Sequence, residues 1–593
     1  MPALRDSLKG EAISIHELLS PTAELRYSAP EFQRHYVWRT DGSDSQIARF
    51  WADVDRLENE GTGDGDADSL FLGAIVLQII DAGGPGKSPL LSIIDGQQRL
   101  TTLYLVFVAI AEAYQDCGQP HQAADIERQY LLSQVSTSKD EPRLRPTISD
   151  IAQFREILSC LRNPRPRFEG VGSGEKTGRM TEAWAVIRRR VREICADDDD
   201  DGALSPDKLY DLLLSVAERI ELVSITLGVQ HDPHEVYERL NTGGEPLKVI
   251  DLTRNEVFLV AGPEATERFY YDYWGPFEEN LGIQYQDSYF FPYALIRDSS
   301  TTKARMYETL RTYWKGTVTQ GKAGEQAAQA IVQDLEEFLP SYHALVGVSR
   351  PSTLDSESWS AIERLQRLDV PSTMYPYFIQ LIDARLKGSV STDDLVKATR
   401  IIDSFVVRRV FLGFSNTGIH TVFKRLWSAA GADPKKLIEN LEVRTVQFPS
   451  DDDFRRSILE AAIFRSSKCR YILTEYERSF SKGDLSEWNP HEVTVDHLIP
   501  QNPTLKDWPG ISAEQHDAVV DTWANLVPLS GKANSEKSAG NWDQTRKMML
   551  EESGTVFKST RAVFDQYKQW DAEAIGDRGR RLADWALERW PKG

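Results

Sequence analysis

The sequence predicts a multidomain α+β protein, and three observations carry that prediction. The chain has 593 residues, too many for one hydrophobic core, which points to about three or four domains. Short apolar runs bounded by Gly- and Asp-rich segments mark strands in the N-terminal part. Most of the remainder repeats its apolar residues at helical spacing.

Residues 1 to about 115 read as mixed α/β. LFLGAIVLQII (70–80) and LLSII (90–94) have the length and β-branched content of buried strands. EGTGDGDADS (60–69) and DAGGPGKSP (81–89) are their loops. LTTLYLVFVAIAEAY follows as a helix with an apolar face. A helical insertion over about 105–220 is broken by NPRPRFEGVGSGEKTG (163–178) and by DDDDDG (197–202). Adjacent carboxylates repel and cannot all face one ion, so that acidic run is a solvated loop. IELVSITLGV (220–229) reads as a further strand, and HDPHEVYERLNTGGEPLKVIDLTRNEVFLV (231–260) as helix, Gly-Gly turn and helix. The domain boundaries expected are 1–260, 261–480 for a helical linking region, and 481–593 for a C-terminal domain with a helical tail carrying Trp570, Trp585 and Trp590.

The totals exclude several classes. No run reaches the roughly 18 apolar residues of a membrane span, and the first twenty residues lack an apolar core with a cleavage site, so neither a membrane span nor a signal peptide is expected. Cys117, Cys160, Cys195 and Cys469 are scattered without a CxxC pair, which fits a cytoplasmic protein without disulfides or a zinc knuckle. The net charge of −21 argues against a general nucleic-acid coat and leaves room only for a local basic groove.

VTVDHLIPQNP (493–503) places Asp496 beside His497. Neighbours on a strand face opposite ways, so each side chain serves a different partner. Asn525 follows His497 by 28 positions, within NLVPLSGKAN, and Asn534 follows nine further on. This His…Asn…Asn order resembles the HNH nuclease signature, whose fold is a ββα-metal finger. The chemistry suits phosphodiester hydrolysis. His497, neutral near pH 7, can take the proton of an attacking water. Asp496 and the amide oxygen of Asn534 can hold a hard divalent cation, Mg²⁺ or Mn²⁺, and Asn525 is expected to brace the loop and orient His497. The plainer alternative makes Asp496 a turn acid before Pro500 and His497 a satisfied loop histidine.

SIIDGQQRLTTL (92–103) is the second signal. A strand ends at Ile94, Asp95-Gly96 turns, and a helix begins near Gln97, whose free N–H groups and dipole favour phosphate. Asp95 could cap that helix or hold a nucleotide's metal, Gln97 and Gln98 can bond water, base or sugar, and Arg99 adds a fork of donors. A capped helix with Arg99 in a salt bridge is the alternative. The absence of GxxxxGK[ST] excludes a P-loop. FQRHYVW (32–38) adds Gln33, Arg34, Tyr36 and Trp38 to the candidate pocket, and YERLNTGGEPLKVIDLTRN (237–255) adds Arg239, Asn241, Thr242, Gly243, Arg254 and Asn255. Tyr36 and Trp38 suit a plain core equally well.

Taken together, FQRHYVW, FLGAIVL, DGQQRLTTL and RLNTGGEPL, followed by VTVDHLIPQ and NLVPLSGKAN, resemble the GmrSD family of modification-dependent (type IV) restriction enzymes, in order from about residue 15 to the C-terminus. The resemblance implies an N-terminal ParB/sulfiredoxin-like domain that binds and hydrolyses a nucleoside triphosphate (ATP, GTP, CTP or UTP). It implies a C-terminal HNH finger that cuts modified phage DNA, such as DNA carrying glucosylated hydroxymethylcytosine, under nucleotide control. Relatives similar to SspE sense phosphorothioate backbones instead. Carried over, Asp95, Gly96, Gln97, Gln98, Arg99 and Thr101 would line the nucleotide pocket, and Asp496, His497, Asn525 and Asn534 the nuclease site. The chain departs from the family's usual EH by reading DH at 496–497, which keeps the carboxylate and shortens its arm. A nucleotide sensor whose finger only binds DNA, an NTPase acting through a partner, and a homo-oligomer all remain compatible with the sequence. Arg162, Arg165 and Arg167, Arg188 to Arg190, and Arg408-Arg409 are the basic clusters that could grip DNA, or simply exposed charge.

Overall fold

A computed structural model of the chain describes residues 9–19, 24–30, 33, 35–60, 69–135, 140–161, 177–197, 203–227, 248–262, 265–415, 417–443, 446–480, 493–531, 534, 541–551 and 557–592. Internal contacts divide the chain into two compact units, 1–283 with 314–332, and 284–313 with 333–593. The helical segment after 333 and the C-terminal segment thus share one unit.

The first unit is built on a mixed six-stranded sheet. Its strands are β1 (Lys9–Ser14), β2 (Arg26–Ser28), β3 (Leu70–Asp81), β4 (Leu90–Asp95), β5 (Leu144–Arg145) and β6 (Ile220–Leu227). Their spatial order is β1-β6-β3-β4-β2-β5. β3 is central, parallel to β6 and antiparallel to β4, which explains its long apolar run. β2 and β5 extend the sheet in parallel from β4.

The helix Gln97–Asp116 leaves β4 through Gly96 and is buried on nearly every side between Leu100 and Tyr114. The sequence suggested one apolar face. A helix apolar all round belongs inside a core, and this one is surrounded by Tyr27, Ile93, Phe154, Met180, Leu209 and Leu222 in a single cluster.

The second unit is mostly helical. It includes helices Thr392–Phe411, Cys469–Phe480, Ala513–Val519 and Ala572–Arg589. It also holds a two-stranded antiparallel hairpin, β7 (Val493–His497) with β8 (Leu526–Ser530). The hairpin is held by its own apolar core: Leu498, Ile499, Val527 and Leu529 pack with Trp508, Trp542, Phe564 and Trp570. Trp542 stacks on Trp570 at 5.2 Å and on Phe564 at 4.8 Å. All four cysteines are free thiols, and among the described residues no helix is long and apolar enough to cross a membrane.

Candidate active site

The β7–β8 register pairs Asp496 with Val527 and His497 with Leu526. Alternation along β7 then puts Val493, Val495 and His497 on one face and Thr494 and Asp496 on the other. His497 is buried, its side chain 8% exposed. Its Nε2 lies 2.8 Å from Oδ1 of Asp521, which also accepts a hydrogen bond from the Gln501 amide at 3.3 Å. The ring of Phe464 lies 4.3 Å from the imidazole, tilted by 57°. Nothing in the sequence singles out Asp521. It lies 24 positions from His497, in no recognisable motif, and only the fold brings the two together.

Asn525 is fully buried and ties down the loop that follows His497. Its Oδ1 accepts the Ile499 N–H at 2.9 Å, and its Nδ2 donates to the carbonyls of Ile499 and Val520 at 3.1 and 2.9 Å. Its main-chain carbonyl accepts the Leu498 N–H at 2.8 Å. Nε2 of His516 reaches the Pro500 carbonyl at 2.9 Å. From behind, the buried Arg578 donates to the carbonyls of Ala524 and Leu526 at 2.6 and 3.0 Å, and burial pushes its guanidinium down to about 10. The imidazole bonds Asp521, while the Asn525 side chain bonds the loop and accepts from the Trp570 indole at 3.3 Å.

On the other face, Nδ2 of Asn534 donates to Oγ1 of Thr494 at 3.3 Å. Thr494 stands two residues from Asp496 on that face, so Asp496 and Asn534 converge on one side of β7. Among the described residues, no group of three or more His, Cys, Asp or Glu is placed to hold a metal ion. An ion bound here would take one carboxylate and one amide from the chain, and the rest of its shell from water and phosphate. That partial set suits Mg²⁺, which keeps several waters and rarely occupies an all-protein cage.

The DGQQR segment forms a second candidate site in the first unit. Gly96 stands at the N-cap of the 97–116 helix in the left-handed region, φ +93°, and as a glycine supplies no side-chain cap. A Cβ at Gly96 would meet the Ala74 carbonyl at 3.1 Å and Ile75 Cα at 3.2 Å, so the turn requires glycine. Arg99 donates to the Ala74 carbonyl at 2.7 Å and lies 3.8 Å from Asp95. It passes over Gly73, φ +113°, at a bulge of β3, where a Cβ would lie 3.3 Å from its guanidinium carbon.

Both ends of the Gln98 amide are engaged by the FQRHYVW segment, accepting the Val37 N–H at 2.9 Å and donating to the His35 carbonyl at 3.1 Å. The Gln33 amide bonds the carbonyls of Ile93 and Ile94. Tyr36 shares a 2.7 Å hydrogen bond with Thr102, and its N–H bonds the buried Asp150. Trp38 packs against the core cluster, and Gln97 and Thr101 are buried. The motifs thus meet, with Gln98 acting as a strap between two of them.

The helix Val249–Ala261 brings Asp251, Arg254 and Asn255 to one face. Arg254 pairs with Asp251 at 2.5 Å and Glu278 at 3.5 Å. Oδ1 of Asn255 is buried with no hydrogen-bond partner among the described residues, an orphaned acceptor of the kind a bound ligand satisfies. Arg34, Arg239, Asn241, Thr242 and Gly243 lie outside the described residues, as do Arg162, Arg165 and Arg167.

The remaining basic clusters are committed within the protein. Arg188 pairs with Glu112 at 2.5 Å, Arg189 with Glu193 at 3.7 Å and Arg190 with Asp55 at 2.7 Å. Arg408 and Arg409 are buried and bond main-chain carbonyls. That removes the last pair from the list of DNA-gripping candidates.

Residues 15–258 match the family model described as GmrSD restriction endonuclease, N-terminal domain, and residues 448–585 that described as GmrSD restriction endonucleases, C-terminal domain. No curated protein matches the chain. The C-terminal match contains His497, Asp521, Asn525 and Asn534, and the N-terminal match contains Asp95 to Thr101 and Arg254.

Proposed function

Because the chain belongs to the GmrSD restriction endonuclease family, a type IV restriction nuclease, we propose that it is a divalent-metal-dependent DNA endonuclease or nickase, regulated by a nucleoside triphosphate and directed at modified phage DNA. The observation that carries this reading is the two-faced strand β7. One face presents a buried imidazole with a carboxylate partner, and the other gathers Asp496, Thr494 and Asn534. The hairpin with its fastened loop supports an HNH-type finger. The mixed sheet with its central helix supports a ParB/sulfiredoxin-like N-terminal domain.

In this mechanism His497 accepts the proton of the attacking water, worth roughly 10²–10⁴-fold in rate. Asp496 and Asn534 would hold Mg²⁺ or Mn²⁺, which would polarise the scissile phosphate and stabilise the leaving 3′-oxygen. Asn525 fastens the loop that follows the imidazole through Leu498 and Ile499. In the N-terminal domain, the start of the 97–116 helix, with Asp95, Gln97 and Arg99, would receive the triphosphate. The buried orphan Asn255 offers an acceptor to the same ligand, and Gln98 holds the pocket wall.

Nicking of supercoiled plasmid and of phage DNA carrying glucosylated hydroxymethylcytosine, with Mg²⁺ present, tests the reading. His497→Ala should lose about 10²–10⁴-fold in cleavage rate while still binding DNA. Equal cleavage by both proteins would sink it. DNA binding with no cleavage by either would favour a nucleotide-hydrolysing sensor whose finger only holds DNA.

A further inference from the structure

We propose that Asp521 is the positioning residue for His497, fixing the tautomer with which the imidazole acts; this rests on the nuclease reading above. A carboxylate oxygen accepts, so the 2.8 Å contact to Nε2 places the ring proton on Nε2. The neutral ring then carries its lone pair on Nδ1, and only that nitrogen can take a proton from water. In the step this prepares, a water O–H bond breaks and its proton goes to Nδ1. The water oxygen forms the new P–O bond, and the bond from phosphorus to the leaving oxygen breaks. The imidazolium so formed faces the Asp521 carboxylate, which stabilises it.

The fold gives Asp521 a fixed place from which to do this. Its main-chain carbonyl accepts the N–H groups of Ile463 and Phe464 at 2.9 and 3.3 Å, and an isolated bridge pairs Ala462 with Thr522. The same pairing brings the Phe464 ring against the imidazole. One backbone junction therefore supplies both the wall and the acceptor that define the ring's orientation. Asn525, four residues on and tied to the Val520 carbonyl, fixes the same stretch from its other end. A surface ion pair would need none of this. The Asp521 side chain is only 24% exposed and its partner 8%, and a second donor, Gln501, holds the same carboxylate oxygen.

Three variants of the full chain test the assignment: Asp521→Asn, Asp521→Glu and His497→Ala. The first readout does not depend on turnover. In protein carrying ¹⁵N-labelled histidine, with His497→Ala identifying the resonance, the neutral ring of His497 should be Nε2-protonated in the wild type and should lose that preference in Asp521→Asn, because the amide can turn its NH₂ toward Nε2. The second is single-turnover nicking with Mg²⁺ on the same two DNAs. Asp521→Asn should fall about 10²–10⁴-fold in rate with DNA affinity and melting temperature near wild type, and Asp521→Glu should recover part of the rate.

An Nδ1-protonated ring in the wild type overturns the assignment. Wild-type cutting by Asp521→Asn beside a dead His497→Ala overturns it and leaves the nuclease reading standing. Loss of rate only in step with loss of folding also overturns it, as a merely structural contact. Wild-type cutting by His497→Ala would instead bring down the nuclease reading itself.

Discussion

Asp150 is buried at 3% exposure and accepts hydrogen bonds from the Tyr36 N–H at 2.7 Å and the Thr147 hydroxyl at 3.0 Å. Burial pushes its carboxyl up to about 6, against those two bonds and the nearby Arg254, which lower it. A carboxyl raised in the folded state holds its proton more tightly there than in the unfolded chain. Its contribution to stability is therefore greatest below about pH 4 and is lost as pH rises toward 6, by about 3 kcal/mol. Asp150→Asn keeps one acceptor and cannot ionise. Its melting temperature relative to wild type should rise between pH 4 and 7, and a constant difference across that range would refute the argument. Asp150 and Asp521 were both illegible in the sequence for one reason. Each is an isolated acid whose meaning comes from a partner supplied by another element, Tyr36 in the first case and His497 in the second. Asp496, His497, Asn525 and Asn534 could be picked out because two asparagines at a set spacing after a histidine make a local pattern. Gln98 looked like a ligand-binding amide because nothing in the sequence places the carbonyl of His35 and the N–H of Val37 beside it.

The helix Thr392–Phe411 lies within the 261–480 stretch that reads as helical, and its Ser391 cap and acidic first turn suit that, whereas the use it makes of its charges has no local signal. Its buried Asp403 accepts from the Tyr471 hydroxyl at 2.9 Å and pairs with Arg589 at 3.0 Å. Arg589 reaches Glu475 at 2.7 Å as well. Arg408 donates to the Trp590 and Pro449 carbonyls at 2.8 and 3.0 Å and to Asp451 at 2.6 Å, and Ser404 bonds the Pro591 carbonyl. The helix thus grips the end of the 572–589 helix, whose Arg578 in turn supports the strand after Asn525. Removing one member of a buried ionic network leaves its partners unpaired, at a cost of about 3–5 kcal/mol. Asp403→Ala should therefore lower the melting temperature and expose the C-terminal end to limited proteolysis, while an exposed control such as Lys397→Ala should do neither. Strands divide the same way. β3, β4 and β6 announce themselves because a central position demands apolar runs. β1 (KGEAIS), three-residue β2 and two-residue β5 are short or polar, and their pairing is decided by distant neighbours, so no local signal marks them.

The chain as a whole carries a net charge of −21, and among the described residues the arginine clusters marked in the sequence are engaged within the protein. Arg188, Arg189 and Arg190 each face a carboxylate of the same unit, and Arg408 and Arg409 spend their donors on buried carbonyls. A protein with a broad basic surface would neutralise six to ten phosphates and lose about 10³–10⁵ in affinity between roughly 50 and 200 mM salt. With Arg408 and Arg409 buried and Arg188 to Arg190 each beside a carboxylate, this chain should make fewer contacts than that; about three or four would give a loss of about 10²-fold over that range by the same counterion arithmetic. The repulsive field of the remaining surface works in the same direction, penalising unfocused binding and leaving selectivity to a few contacts at the site. Binding of a fluorescent duplex to His497→Ala, titrated with salt in Mg²⁺-free buffer, reads the slope directly. A loss of 10⁴-fold would mean that a basic surface exists which neither the charge total nor the described arginines account for.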